Sequence, residues 1–482
     1  MKHTHRETEL PGTPLESFSR FLDHEVIVGC VLFSLLLFGQ SGAISLPYHW
    51  DAMAAVFDYS DAILKHRFWP FPKLEFDDPG HPPFYYEVLA LAWKLGGQNA
   101  VVAHYVGLAF AWLALFHTYL FGRNILESSL AGVLGATLLL FNPLAFAQWG
   151  HLNNEVPLTA LLIMSTYYLA LDRWKGFVLC ASALGLTKAY GVVFVAIIIG
   201  LRIVLFDLSR ITLRRLIWLA SPVLVYATWF ALHYHFTGIW LNAARLAHVR
   251  EVHSTVGEYW SAFRGRFHDH FLGASGLISL SCLLAVMWFP PAWNRKSKSI
   301  ALLGGSLVLG FMFLSLLKAW IPRYAMIIYP YFFLLASTGI ARLLEAPRLY
   351  CRTLGFVIVA FSLSAYAARY DLHRPGYGSF EENSEYVDVV LLNMDVCRYI
   401  ENEHSGKRIL AGWPLSHALS NPALGYVNRR VQVVHTPSEP YDLFLYTADH
   451  ESDRTRELRK GNPTLVRRFE RNGKFVELYQ RP

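Results

Sequence analysis

Residues His49–Leu95 read HWDAMAAVFDYSDAILKHRFWPFPKLEFDDPGHPPFYYEVLALAWKL, and whether the last dozen cross a bilayer decides the topology of everything downstream. Phe84–Leu95 is apolar and aromatic, but twelve helical residues rise only ~18 Å, against ~30 Å of hydrocarbon. Placed at the surface, this helix leaves one acidic loop, 46–99, beside the membrane. The loop carries seven carboxylates: Asp51, Asp58, Asp61, Glu75, Asp77, Asp78 and Glu87. Lysine and arginine collect on the inner side of membrane proteins. With Phe84–Leu95 kept out of the crossing count, the inside pieces hold 16 Lys/Arg in 70 residues, against 11 in the longer outside loops. The Arg214-Arg215, Arg295-Lys296-Lys298 and Arg342/Arg348/Arg352 clusters all fall inside. The N-terminus is therefore expected inside and the C-terminus outside.

The whole chain supports a membrane setting. Of its 482 residues 54% are hydrophobic and 16% charged, less charge than a soluble domain of this size carries. Eleven apolar segments follow one another, beginning near Glu25, Ala100, Ser128, Glu155, Gly176, Tyr190, Leu216, Phe271, Ile300, Tyr324 and Thr353. The first is too long for a signal-peptide core and reads as an uncleaved helix. The expected fold is a polytopic α-helical membrane protein with about 11 transmembrane helices. Domain 1–369 would be transmembrane. From about Tyr370 the composition turns charged, and residues 370–482 read as a small extracytoplasmic α/β domain. Its strands are expected near Arg408–Ala411, Val431–Val434, Asp442–Tyr446, Leu465–Phe469 and Phe475–Tyr479, with a helix over Val387–Asn402. No glycine-rich nucleotide fingerprint accompanies them. The five scattered cysteines suggest neither a disulfide framework nor a zinc site.

Several residues can carry chemistry. Asp51 opens a helix with Met53, Val56, Phe57, Ile63 and Leu64 on one face and Asp51, Asp58 and Asp61 towards another. Such a helix lies along the membrane surface. Asp58 and Asp61 read as solvated. Asp51 is pinned beside the first crossing, where a carboxylate can act as general base on an attacking hydroxyl or amine. Asp77-Asp78-Pro79-Gly80-His81-Pro82-Pro83 reads as a rigid turn, because proline favours extended backbone before it and suits a helix start. Asp77 or Asp78 either caps that turn or, with His81, shapes a substrate pocket. Glu155, after Asn153-Asn154, is either a helix-start carboxylate favoured by the macrodipole or a functional group at the lipid boundary. His151 reads as a surface histidine. Lys188 and Arg323 sit at outer ends of apolar segments. They either snorkel or hold a phosphate, which arginine grips through two parallel hydrogen bonds.

In order, the chain shows one crossing, an early loop aspartate, an HPP turn, an Asn-Glu turn after the third crossing, a Leu-Thr-Lys segment, and Arg-Tyr before a proline-containing helix. This resembles the GT-C glycosyltransferases, particularly bacterial relatives of protein O-mannosyltransferases and the aminoarabinose transferase that modifies lipid A. The matching segments are His49–Leu95, Asn142–Leu162, Leu184–Gly191 and Pro322–Pro330. The resemblance implies a polyprenyl-phosphate-linked monosaccharide donor, used outside the cytoplasm with inversion at the anomeric carbon. Asp51 matches the family's catalytic loop aspartate. Glu155 takes the place of a second acid that is commonly Asp, Arg323 that of the phosphate-side arginine, and Lys188 that of the Leu-Thr-Lys lysine. Asp51-Ala52 stands where many relatives have Asp-Glu, so one paired acid is missing.

The expected function is sugar transfer from such a donor to a protein, lipid A or another glycan, on the outer face of a bacterial inner membrane. Asp51 and Glu155 are the expected catalytic residues. Asp77, Asp78, His81, Lys188 and Arg323 are expected to bind substrate. No obligatory cofactor and no nucleic-acid partner are expected, and a divalent metal on Asp77, Asp78, His81 and Glu155 stays open. A transporter or flippase for a lipid-linked glycan is the alternative. Against it, the polar groups gather at one face rather than at the midplane, and no internal repeat is visible.

Overall fold

The computed structural model describes residues 24–69, 81–207, 212–238, 253, 255–272, 276–287, 294–318, 320–370, 382–447 and 453–481. Each of the eleven apolar segments contains a helix, and these form one bundle. Among the described residues five helices are long and apolar enough to cross a membrane: Ala100–Asn124, Leu213–Thr237, Arg295–Ser315, Pro322–Glu345 and Leu349–Ala367. Ser129–Phe141 and Pro143–Gly150 make a sixth if that pair, bent by 68°, is one span. The bend follows from Asn142-Pro143. Proline has no N–H to continue the first helix, and Asn142 Oδ1 accepts instead from Ala145 N, starting the second. Glu25–Gln40, Glu155–Ala170 and Gly191–Phe206 are shorter apolar helices.

Burial sorts the helices by role. Glu155–Ala170 and Tyr329–Glu345 are enclosed by other helices along most of their length. Leu213–Thr237 and Leu349–Ala367 instead show apolar side chains outwards, including Leu213, Leu224, Leu349 and Phe356. In water such a surface would be a large unpaid liability, and it is the surface a bilayer covers. The backbones meet closely where side chains vanish. A Cβ on Gly122 would lie 2.3 Å from Gly132 Cα, and one on Gly132 would lie 2.4 Å from Tyr119 O. Small residues at such a crossing bring two helices into direct van der Waals contact within a membrane. The first helix is held on Ala100–Asn124 by an ion pair between Glu25 and Arg123, and by Trp112 Nε1 donating to Gly29 O at 3.0 Å.

The segment that decides the topology stays short. Phe84–Gly96 has 13 residues and packs on Tyr59–Lys65 and Ala100–Asn124. The amphipathic helix before it begins as a π-helix, Ala52–Asp58, and continues as the α-helix Tyr59–Lys65. Met53, Val56, Phe57 and Ile63 are buried as expected, with Phe57 against Tyr48 and Trp93. Protein aromatics cover this face at those points.

All five expected strands are present: β1 Arg408–Leu410, β2 Gln432–Val434, β3 Leu443–Thr447, β4 Thr464–Arg471 and β5 Lys474–Gln480. They form one sheet in the order β2-β1-β3-β5-β4. β1 runs parallel to β2 and β3, while β5 runs antiparallel between β3 and β4. The helix Glu385–Glu403 packs on β4 and β5. Leu410, Val434, Tyr441, Phe444, Tyr446 and Tyr479 build a separate small core in this unit.

The Gly122–Gly132 contact predicts that Gly122→Leu lowers stability by about 1–3 kcal/mol or more, because overpacking here meets backbone rather than a movable side chain. Gly200 has nothing within 4 Å of an added Cβ. Gly200→Ala should therefore leave the thermal midpoint in detergent unchanged or slightly raised, and fluorescence-detected thermal unfolding compares the two.

Candidate active site

Three separate chain segments converge on Glu155. It is the first residue of its helix and 1% exposed. Its Oε1 accepts from Lys188 Nζ at 2.5 Å and from Tyr190 OH at 3.2 Å. Its Oε2 lies 3.5 Å from Arg323 Nε, and Arg323 Nη2 donates in turn to Asp51 Oδ2. Acid and base thus alternate along a chain, Asp51–Arg323–Glu155–Lys188, whose formal charges cancel. Glu155, Lys188 and Arg323 are buried, whereas the Asp51 side chain is 44% exposed. Asp51 is the member a ligand can reach most readily.

Local structure explains how each group arrives. Lys188 sits in the break between the helices Trp174–Gly185 and Gly191–Arg202. A Cβ on Gly191 would lie 2.3 Å from Leu184 O, so glycine lets the chain re-enter the next helix that tightly. The Lys188 ammonium also lies over the rings of Tyr190, at 4.9 Å, and Tyr324, at 4.7 Å. Cations favour the negative face of an aromatic ring. Arg323 follows Pro322 at the start of a 3-10 turn, Pro322–Ile328, that leads into Tyr329–Glu345. Asp51 follows Trp50, whose φ of +52° is a left-handed conformation. For a bulky residue that conformation costs about 1–3 kcal/mol and persists where the surroundings impose it.

The short helix after the HPP turn braces this arrangement. Phe84 N donates to Leu186 O at 2.9 Å, two residues before Lys188. Tyr86 OH accepts from Asn154 Nδ2 at 2.8 Å, one residue before Glu155. His81 is buried at the head of that turn. Asp77 and Asp78 lie outside the described residues, as does Glu75. Among the described residues no group of three or more His, Cys, Asp or Glu could hold a metal ion.

Some readings of the sequence change. Lys188 and Arg323 do not snorkel; both are buried in ion pairs. His151 is not a surface histidine. It is 3% exposed and packs against Tyr386 with ring centroids 3.9 Å apart. Burial, and then interaction with His49, Arg323 and His104, hold its imidazole well below the usual histidine range, so it is neutral at neutral pH. Asp61 is bound by Lys65 at 2.6 Å and Gln98 at 2.8 Å, a surface arrangement. Asp58, read as solvated, lies 3.2 Å from His417 of the C-terminal unit. Tyr190 and Tyr324 escaped attention although both stand beside the cations in the segments that carried the family resemblance. Their signal was an aromatic ring adjacent to a boundary cation. Two of the cations expected inside, Arg202 and Arg295, lie at the far end of Glu155–Ala170, ~24 Å away by helical rise. There Arg202 pairs with Asp172 at 2.7 Å and Arg295 donates to Ala170 O at 2.6 Å.

The helical bundle, with the Asp51 loop and the buried ion chain at one end and a small C-terminal sheet, makes up the fold of this chain. Two solved structures share it over nearly the whole chain. One is ArnT from Cupriavidus metallidurans bound to undecaprenyl phosphate, at 13% identity and a TM-score of 0.60, covering 94% of this chain and 97% of that one. The other is the same protein in the apo state, also at 13% identity and 0.60, covering 93% and 97%. At this identity the likeness is one of fold. No protein-family model matches the chain, and no curated protein matches it.

Glu155 is a counter-ion of two buried cations, so its neutralisation takes the carboxylate away from Lys188 and leaves Asp51 as the acid on Arg323. Glu155→Gln should cost about 3–5 kcal/mol of stability, the range for removing one partner of a buried pair. Asp51→Asn, at a half-exposed site, should cost less. Adding Lys188→Met to Glu155→Gln should recover part of the loss, and thermal midpoints of the three variants test the order.

Proposed function

We propose that this protein is an integral-membrane glycosyltransferase that moves a monosaccharide from a polyprenyl-phosphate-linked donor to a hydroxyl or amine acceptor. The acceptor belongs to a protein, lipid A or another glycan. The observation that carries this reading is the Asp51–Arg323–Glu155–Lys188 chain at one end of a bundle whose fold is that of ArnT solved with undecaprenyl phosphate. We place this end outside the cytoplasm of a bacterial inner membrane. The N-terminus would then be inside, with residues 1–369 the transmembrane catalytic domain and 370–482 an extracytoplasmic domain.

In this reading the donor phosphate is recruited by Arg323 and Lys188. Arginine offers planar paired donors to phosphate oxygens. When the phosphate takes those donors, Arg323 releases part of its hold on Asp51, and a carboxylate relieved of a neighbouring cation becomes more basic. Asp51 then accepts the proton of the acceptor hydroxyl or amine as that oxygen or nitrogen bonds to the anomeric carbon. The bond from anomeric carbon to phosphate oxygen breaks, and its electron pair leaves with the phosphate. Arg323 and Lys188 stabilise the charge that develops on the leaving group. Glu155 holds both cations on their bearings throughout. Its burial suits a counter-ion, and its carboxylate contributes to catalysis through Arg323 and Lys188. Asp77, Asp78 and His81 complete the proposed substrate-binding set from the HPP turn.

Removing a general base costs about 10²–10⁴-fold in rate. Asp51→Asn in the reconstituted protein should lose turnover by that factor while still binding undecaprenyl phosphate. Near-normal transfer by the folded variant would remove Asp51 from the role of base.

A further inference from the structure

The C-terminal unit touches the Asp51 loop on both sides of the carboxylate. Ahead of it, Tyr426 OH donates to Tyr48 O at 2.8 Å, with both residues buried. Burial raises the Tyr426 phenol well above the ordinary tyrosine range, so it stays a donor. Next to the carboxylate, the Trp50 indole meets Trp413 edge-on, with centroids 6.4 Å apart. Beyond it, at the end of the π-helix, Asp58 lies 3.2 Å from His417 Nε2, and the His417 ring stacks on Trp413 at 5.6 Å. The left-handed backbone at Trp50 is therefore flanked by contacts from one other part of the chain. Such backbone persists only where its surroundings over-determine it. Because Trp50 immediately precedes Asp51, whatever fixes its ring fixes the direction in which Asp51 leaves the chain.

We propose that the C-terminal unit is a clamp on the Asp51 loop, with Trp413, His417 and Tyr426 as positioning residues for Asp51. Its catalytic consequence rests on the reading of Asp51 as base; the clamp itself does not. The need for it follows from the ion chain. Arg323 is the group that holds Asp51 and also the group expected to turn to a phosphate, so the aspartate requires a second restraint that substrate leaves in place. Catalytic groups must stay within about 0.5 Å of their productive positions. Contacts at residues 48, 50 and 58 provide a restraint independent of Arg323.

Hydrogen exchange of the full chain in lipid nanodiscs tests the clamp. Tyr426→Phe removes one hydroxyl and keeps the ring; His417→Leu removes the partner of Asp58; His417→Gln keeps a donor there. A buried hydrogen bond corresponds to about a fivefold change in a local opening equilibrium. Amides of residues 46–58 should exchange about fivefold faster in Tyr426→Phe and His417→Leu. His417→Gln should stay near the wild type, and amides of Ala100–Asn124 should not change in any variant. Binding of undecaprenyl phosphate should hold in all three, because its proposed cations lie elsewhere. Unchanged exchange over 46–58 in both Tyr426→Phe and His417→Leu would overturn the clamp, and so would equal loosening of Ala100–Asn124. A loosened loop together with full transfer by Asp51→Asn would leave the clamp standing and remove the catalytic reading alone.

Discussion

A carboxylate at the edge of a bilayer, shut away from water, must find cations or give up its charge. Glu155 finds two, and this end of the bundle is arranged around that requirement. Lys188 comes from a break between two helices, and Arg323 from a 3-10 turn before the enclosed helix Tyr329–Glu345. The loss of either takes a cation from a buried acid, so three elements distant in sequence are held to one point. The helix after the HPP turn secures two of them, through Phe84 to the Lys188 break and through Tyr86 to the residue before Glu155. A kink, a turn and a short surface helix thus act as one support.

That support leaves the site electrically neutral and unevenly exposed. Two buried cations are matched by one buried acid and by Asp51, which is reached from outside. A charge-balanced site of this kind has no excess charge to destabilise the empty protein. An arriving phosphate can still displace Asp51 from Arg323, because that pair is the one in contact with solvent. Binding and activation are then the same event in the proposed reading, since the exchange of partners at Arg323 frees the base. It also explains why a loop carrying a reactive carboxylate would be gripped from the C-terminal side.

Much of this was legible in the residues. The alternating apolar face of Met53, Val56, Phe57 and Ile63 marked the loop helix, and five β-type runs marked the C-terminal sheet to within a residue or two. The order of Asp51, Glu155, Lys188 and Arg323 along the chain signalled four boundary ions on one side, and they do meet. Periodicity could not show that Arg323 would lie between two acids, because pairing across 168 or more residues is decided by packing. Hydropathy alone does not show which apolar segments are enclosed and which are bent. Glu155–Ala170 is as apolar as a spanning helix but is enclosed by protein, and Asn142-Pro143 bends what reads as one segment into two. Asp58 and His151 depart from a solvated surface for a related reason: each is covered by the C-terminal unit, whose docking leaves no periodic mark.

The central claim is that Arg323 exchanges Asp51 for the phosphate of a lipid-linked donor. Affinity for undecaprenyl phosphate in Arg323→Lys, which keeps the charge and loses the paired planar donors, tests it most directly. The account predicts that the variant folds, keeps its thermal midpoint within a few degrees, and binds the lipid at least about tenfold more weakly, the equivalent of one lost charge-assisted hydrogen bond. Affinity equal to that of the wild type would contradict it.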